Sequence, residues 1–179
     1  MDAQQAKFLV DQYATLMEGE FPATVKVIAA VKDDTRDYKP DEKSRTAWEL
    51  ATHLATSDVW FLDSIIKGEF QFDAEAAKQA ESQFKNVNDV VEFYKKTFPA
   101  KLQELRTLSP DKLSRTVDFF GLFKSPAVSM MGFANNHGIH HRGQLAAYLR
   151  AMGSKVPAIY GGSADEPFQA AQPQQTAAT

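Results

Sequence analysis

Residues 125–153, SPAVSMMGFANNHGIHHRGQLAAYLRAMG, show the clearest helical pattern in this 179-residue chain. Ser125 is the predicted N-cap, Pro126 the first helical residue and Gly153 the C′ residue, since these residue types favour those positions. Steps of three or four residues place one stripe on a single helix face. That stripe is predicted to point inward, and it consists of Met130, Ala134, His137, His141, Leu145, Tyr148 and Met152.

Two amphipathic segments near the start of the chain are also predicted to be helices. The first covers about residues 3–31, and Pro22 is expected to kink or split it, because proline removes a backbone donor. The second begins at a capping box formed by Thr46 and Glu49 and is expected to stop near Gly68.

A third helix precedes the histidine-rich one and is predicted to begin with Asn86 or Asn88 as its N-cap. Pro99 argues for a kink within it. Residues 69–85 are polar and poorly periodic, and residues 115–121 are interpreted as an extended loop across the bundle end. Four long helices without a strong strand predict an all-α four-helix bundle. The connections are long enough for a topology other than simple up-down.

The composition fits one domain, with 44% hydrophobic and 24% charged residues. The domain is predicted to span residues 1–160, and the polar residues 161–179 are predicted to form a flexible tail. A net charge of −3 lacks the basic excess typical of nucleic-acid binders, so no nucleic-acid partner is expected. Without a signal-peptide pattern or an apolar run of about 20 residues, we expect a cytoplasmic protein without a membrane segment.

Three of the chain's four histidines have the spacing of metal ligands. His137 and His141 are four residues apart, so their rings project from one helix face, and His53 lies on the apolar face of the second helix. Neutral imidazole suits zinc, nickel, copper or iron, and three ligands leave a coordination position open, as in catalytic zinc sites. The alternative for His53 is an ordinary core histidine. His140 points away from the shared face and is interpreted as a surface or outer residue.

Several other kinds of site are excluded by the sequence. The chain has no cysteine, so it has neither disulfides nor a cysteine nucleophile. Neither a His-Glu-x-x-His run, a Glu-x-x-His pair nor a P-loop is present. The run of residues 140–142 is interpreted as only a local charge, and the pair Phe119 and Phe120 as core or loop packing.

Residues 136–145, NHGIHHRGQL, resemble the fourth helix of the DinB/YfiT-like family, and the similarity continues through residues 148–157. Residues 48–54, WELATHL, resemble the second-helix motif of that family. The resemblance covers the layout of most of residues 1–160. It implies a four-helix bundle with a long crossover connection, and usually a homodimer.

The same resemblance implies a three-histidine metal site, which falls on His53, His137 and His141. Some relatives are similar to thiol S-transferases that use bacillithiol, mycothiol or glutathione, and one related branch isomerises maleylpyruvate with a thiol cofactor. The first hypothesis is therefore an enzyme that uses a divalent metal ion (Zn, Ni or similar) and a low-molecular-weight thiol on a small-molecule substrate.

Two alternatives to the transferase remain. A metal-dependent hydrolase would use a metal-activated water in place of the thiol, and Glu20 or Tyr148 would be candidates for its general base. Each of these two residues is more simply an ordinary helix position. The other alternative is a non-enzymatic metal-binding stress or interaction protein. For any site of three histidines, metal affinity is predicted to weaken as the pH falls through about 6 to 5, because free imidazole has a pKa of about 6.5.

Overall fold

Four long helices dominate the computed structural model, which describes residues 1–168. They are α1 (Ala3–Ala29), α2 (Ala47–Lys67), α4 (Val87–Thr107) and α6 (Met130–Ala151). The shorter elements are α3 (Ala74–Ser82), α5 (Pro110–Ser114), the strands β1 (Thr116–Phe119) and β2 (Phe123–Pro126), and a 3₁₀ turn (Ala127–Ser129). The prediction of an all-α four-helix bundle is confirmed.

The order of the helices in space differs from their order in the chain. α2 packs against α4 and α6, and α1 packs against the same two helices. The consecutive helices α1 and α2 therefore lie across the bundle from each other, and residues 30–46 form the crossover between them. As a result, α2 and α6, which carry the predicted metal ligands, are direct neighbours.

The predicted ends of α2 and the predicted start of α4 are confirmed. Thr46 and Glu49 form both hydrogen bonds of the capping box, with Thr46 Oγ1 accepting from the Glu49 amide at 3.1 Å. The helix stops at Gly68, whose φ of 83° lies in the left-handed region. At the start of α4, Asn86 rather than Asn88 is the N-cap, and its side chain accepts from the amide of Asp89.

Neither internal proline divides its helix. α1 continues through Pro22 and α4 continues through Pro99 as unbroken α-helix. Buried side chains lie on both sides of each proline, such as Met17 and Val27 in α1. Packing of both halves against the same core compensates for the one hydrogen bond that each proline removes.

The predicted start of the histidine-rich helix is wrong by four residues, since its N-cap is Ser129 and not Ser125. Ser125 and Pro126 belong to β2, where Ser125 pairs with Val117 of β1. The amide of Ala127, just after β2, donates to the carbonyl of Arg115, just before β1, at 2.8 Å. This hydrogen bond joins the two open ends of the hairpin. Strand pairing within the hairpin therefore replaces the predicted cap, and α6 begins only at Met130.

Two further elements lie in segments without a helical pattern. The hairpin of β1 and β2 includes most of residues 115–121, which were predicted to be a loop. The short helix α3 lies within the polar residues 69–85, where Asp73 caps it by accepting from the amides of Glu75 and Ala76. α3 buries no residue, which explains why no apolar stripe marks it in the sequence.

The predicted end of α6 at Gly153 is confirmed. Gly153 has a φ of 72°, its amide donates to the carbonyl of Arg150, and the amide of Ser154 donates to the carbonyl of Leu149, which together form a Schellman motif. The predicted tail of residues 161–179 begins with eight described residues, among which the Asp165 carboxylate accepts from the amide of Val156 at 2.9 Å. Its remaining part, residues 169–179, lies outside the described residues.

Candidate metal centre

The structure brings the three predicted ligands together between α2 and α6. His53 projects from α2, and His137 and His141 project from successive turns of α6. One nitrogen from each ring lies within 4.8 Å of the corresponding nitrogens of the other two. The ring centroids are 4.6 Å apart for His53 and His141 and 4.4 Å apart for His137 and His141. Among residues 1–168 this group could hold a metal ion.

The donor set fits a divalent ion of the zinc type. Imidazole nitrogens lie about 2.0–2.1 Å from zinc, so two of them in a tetrahedral site are about 3.4 Å apart. Small rotations of the side chains would bring the three nitrogens from within 4.8 Å to that spacing. In addition, Nδ1 of His137 is buried and has no hydrogen-bond partner in the described part of the chain, so a nitrogen of this site is left for a ligand.

The surroundings of the cluster favour neutral rings, as metal ligation requires. Burial, followed by the charges of Arg45 and of the other two rings, lowers the pKa of His53 to about 3. Burial and the neighbouring histidines lower the pKa of His137 to about 4. Burial also lowers the pKa of His141 below 6.5. At neutral pH the three ligand candidates are therefore uncharged without any help from an ion.

Gln144 orients one of the three rings. Its side-chain Oε1 lies 2.7 Å from Nδ1 of His141, one helical turn earlier. When Nδ1 carries the proton and donates to Gln144, Nε2 of His141 is left free to bind a metal. The sequence contains a signal for this role, since Gln144 follows His141 by three residues, but no role was predicted for it. His140 is exposed and does not belong to the group, as predicted.

Arg142, interpreted from the sequence as part of a local charge, is instead a buried residue of α6, with only 1% of its surface exposed. Its guanidinium forms an ion pair with Glu20 of α1 at 2.6 Å and donates to Thr24 and Tyr160. The pairing of α1 with α6 across this ion pair explains why an arginine lies on the inward face. The buried face of α6 is consequently rotated relative to the predicted inward stripe. His137 and His141 lie at the edge of the buried face and are only partly buried.

Asp58 is a second buried charged residue that the sequence reading missed. Its Oδ2 accepts from the hydroxyl of Tyr94 at 2.8 Å, whereas its Oδ1 has no partner among the described residues. A Cβ on Gly138, the residue after His137, would lie 2.9 Å from Oδ1, so only glycine lets α6 approach Asp58 this closely. Burial raises the pKa of Asp58 to about 7. The sequence signal that could have identified Asp58 is the presence of an acidic residue on the apolar face of α2.

An open cleft of about 1160 Å³ adjoins the histidines. His53 and His137 line it, together with residues of α2, α3, the hairpin and the start of α6. Much of its wall is aromatic, contributed by Trp60, Phe61, Phe72, Phe119, Phe120 and Phe133. Two of the elements that the sequence did not predict, α3 and the hairpin, therefore form walls of the candidate site.

Comparisons with known proteins agree with this architecture. A family model described as "DinB family" matches residues 4–175. The uncharacterized protein YjoA of Bacillus subtilis is 31% identical over 135 residues, which cover 73% of this chain and 82% of YjoA. The uncharacterized protein YrdA of the same organism is 28% identical over 159 residues, which cover 88% of this chain and 91% of YrdA.

Two solved structures are similar to this one. The crystal structure of the DinB-like protein YjoA from Bacillus subtilis superposes with a TM-score of 0.63 at 27% identity, over 80% of this chain and 93% of that one. A DinB-like protein from Bacillus cereus ATCC 10987 superposes with a TM-score of 0.69 at 21% identity, over 84% of this chain and 97% of that one. The second likeness concerns the fold alone.

No helix among residues 1–168 has the length and apolar character needed to cross a membrane.

Proposed function

The chain belongs to the DinB family, and we propose that it is a divalent-metal-dependent thiol S-transferase acting on a small electrophilic molecule. The observation that carries this proposal is the position of three clustered histidines beside an open cleft of about 1160 Å³ with several aromatic side chains in its wall. Three protein ligands leave coordination positions free, which is typical of catalytic rather than structural metal sites.

In this proposal His53, His137 and His141 hold the ion as neutral ligands and leave its positive charge uncompensated. A bound divalent ion favours deprotonation of a thiol that coordinates it, and the thiolate is the reactive form. Because the chain has no cysteine, the thiol has to come from a low-molecular-weight cofactor. The aromatic walls of the cleft would exclude water from the second substrate.

The hydrolase alternative loses its two suggested bases. Glu20 pairs with Arg142 and accepts from the hydroxyl of Tyr160, and the ring of Tyr148 packs edge-on against Tyr38. Neither Glu20 nor Tyr148 lines the cleft beside the histidines. The structure therefore gives neither of the two residues suggested from the sequence a place beside the proposed reaction centre.

The test combines metal analysis with a turnover assay. His53→Ala, His137→Ala and His141→Ala are each expected to lose bound zinc or nickel and at least about tenfold of the transfer rate, since each removes one of three ligands. His140→Ala is the matched control, because it removes a neighbouring imidazole outside the group. The rate is measured with monochlorobimane and glutathione, bacillithiol or mycothiol in turn.

Two results would contradict the proposal. Equal metal loss from all four histidine variants would refute the ligand set. Tight metal binding without turnover for any of the three thiols, combined with a large loss of thermal stability on chelation, would instead indicate a non-enzymatic metal-binding protein.

We further propose that the protein acts as a homodimer in the cytoplasm. The family resemblance implies the dimer, and symmetric dimers are the commonest assemblies of soluble proteins. Low-molecular-weight thiols are kept reduced in the cytoplasm, where the proposed reaction would find its cofactor. Light scattering at micromolar concentration tests the assembly, and a monomer mass would contradict it.

A further inference from the structure

A continuous series of aromatic rings leads from the histidines to the outer part of the cleft. The ring of Phe61 lies 5.0 Å from that of His137, and Phe119 stacks on Phe61 at 6.2 Å. Phe120 follows at 4.9 Å from Phe119 and faces Trp60. The part of the wall that begins at His137 is therefore a surface of π faces and edges.

Trp60 and Phe120 form a nearly parallel pair at the outer end of this series. Their planes differ by 4° and their centroids are 6.3 Å apart. A flat ring whose plane is parallel to both of these planes can stack on either member of the pair, with its carbon atoms about 3.5–4.0 Å from theirs.

The two partners of this pair are held differently. Trp60 is fixed on α2, where its indole Nε1 donates to the carbonyl of Gln71 at 3.1 Å and its ring packs edge-on against Phe61. Phe120 lies at the tip of the hairpin with 48% of its surface exposed. The hairpin tip is therefore the side that can adjust to a bound ring.

The backbone of Phe120 is in a conformation that a phenylalanine rarely adopts. Its φ of 56° is the only positive φ of a non-glycine residue among residues 1–168. The amide of Leu122 donates to the carbonyl of Phe119, so Phe120 and Gly121 are the central residues of a tight turn, where asparagine or glycine is favoured. A half-exposed phenylalanine contributes little to the core. Strained residues of this kind cluster at functional sites.

We infer that the electrophilic substrate carries a flat aromatic ring, which stacks on Trp60 and Phe120 in the cleft that His53 and His137 line. The inference rests on the proposed function, since it names the substrate class of that same site. The cleft has the size of a small-molecule site. Two aromatic rings with parallel planes favour a flat group that stacks on them over an aliphatic one.

Binding is measured through the fluorescence of Trp60. The chain has two tryptophans, so Trp48→Phe leaves Trp60 as the only emitter and keeps an aromatic ring where Trp48 packs under Arg36. The probe is 1,3-dinitrobenzene, a flat quencher without a leaving group. The comparison is acrylamide, an aliphatic quencher that reports exposure alone. We expect saturable quenching by dinitrobenzene and linear quenching by acrylamide.

Phe120→Asn separates binding from folding, because asparagine tolerates the positive φ. We expect this variant to bind dinitrobenzene at least about tenfold more weakly while its stability to urea is equal or higher. Phe8→Leu is the matched control, since Phe8 is an exposed phenylalanine of α1 that does not line the cleft. It should leave binding unchanged. If Trp48→Phe does not fold, the wild type and Phe120→Asn give the same comparison directly.

The possible outcomes distinguish this inference from the proposed function. Metal binding and thiol transfer with only linear dinitrobenzene quenching, unchanged in Phe120→Asn, would overturn the aromatic substrate and leave the transferase intact. Saturable quenching without metal binding or turnover would support the ring site and refute the transferase. A change in mass by light scattering in Phe120→Asn, without saturable quenching, would assign the exposed rings to self-association and overturn the inference.

Discussion

The orientation of a single imidazole depends on Gln144, the acceptor 2.7 Å from Nδ1 of His141. Removing such an outer partner of a metal ligand commonly lowers metal affinity about 10–100-fold, because the ring loses both its tautomer and its orientation. We expect this loss in Gln144→Ala, measured by competition with a chromogenic chelator. Gln144→Glu should retain or improve affinity, since a carboxylate is a stronger acceptor. Unchanged affinity in Gln144→Ala would show that the contact does not orient the ligand.

Asp58 gives the fold a dependence on pH that one substitution can isolate. Its pKa is raised by burial to about 7, whereas a carboxyl in the unfolded chain titrates near about 3.9. Between these values the folded chain keeps a proton that the unfolded chain has lost. The stabilisation from the protonated form is therefore complete below about pH 4 and is lost as the pH rises to about 7.

Asp58→Asn removes this titration, so its stability relative to the wild type is expected to increase between pH 5 and pH 8. Urea unfolding of both metal-free proteins at the two pH values measures the change. The titration of the histidines is common to both proteins and cancels in the difference. An equal difference at pH 5 and pH 8 would contradict the raised pKa of Asp58.

Among the elements of the fold, the hairpin that carries Phe120 is fixed to the end of α2 by Arg115. Its guanidinium donates to the carbonyls of Ile65 and Ile66 at 3.0 and 2.7 Å, directly over Gly68. A Cβ on Gly68 would overlap this guanidinium. Gly68→Ala is therefore expected to disturb the position of the hairpin as well as the end of α2.

Gly153→Ala is the matched control for Gly68→Ala. Both glycines end a long helix with a positive φ, of 83° and 72°, but nothing lies within 4 Å of a Cβ on Gly153. Gly153→Ala should cost about 1–2 kcal/mol of unfolding free energy from backbone strain alone. Gly68→Ala should cost more and should also weaken the quenching of Trp60 by dinitrobenzene. Equal costs by urea unfolding would mean that Arg115 moves aside freely.

The elements also show which parts of the molecule follow from local sequence. The ends of α2 at Thr46 and Gly68 were predictable because a capping box and a left-handed glycine act within one turn. The N-cap predicted at Ser125 rested on an equally good local signal but was wrong, because Ser125 pairs with Val117 across the hairpin.

The same distinction holds for the candidate site. The spacing of His137 and His141 sets them on one helix face, and an apolar stripe includes His53, so their grouping could be predicted. The roles of Asp58 and Arg142 depend on how closely α6 approaches α1 and α2, which no local pattern encodes. The aromatic wall was missed for the same reason, since Phe120 faces Trp60 only after the hairpin folds over α2.

For the whole molecule, an ion held by His53, His137 and His141 would join α2 to α6, two neighbouring helices that residues 68–129 separate in the sequence. A ligand that binds only the folded state at 100 times its Kd adds about 2.7 kcal/mol. For a chain of this size that corresponds to a rise in Tm of about 5–11 °C. We expect calorimetry to show this rise on addition of zinc to the metal-free protein. His140→Ala should retain it and His137→Ala should lose it.

The rise in Tm on addition of zinc should persist to a lower pH than it would if the ligands had the pKa of free imidazole. Burial and neighbouring charges lower the pKa of His53 to about 3 and that of His137 to about 4, so at these two ligands protons compete with the ion at a lower pH than they would at free imidazole, whose pKa is about 6.5. The charge of Arg45 contributes to the lowered pKa of all three rings. In the metal-free protein, Arg45→Gln should therefore raise the pKa of the three rings, measured by NMR titration of the imidazole protons. Lys124→Gln, which removes an exposed cation outside the cleft, should not. A rise that vanishes between pH 7 and 6 in the wild type would contradict the buried, neutral ligand set.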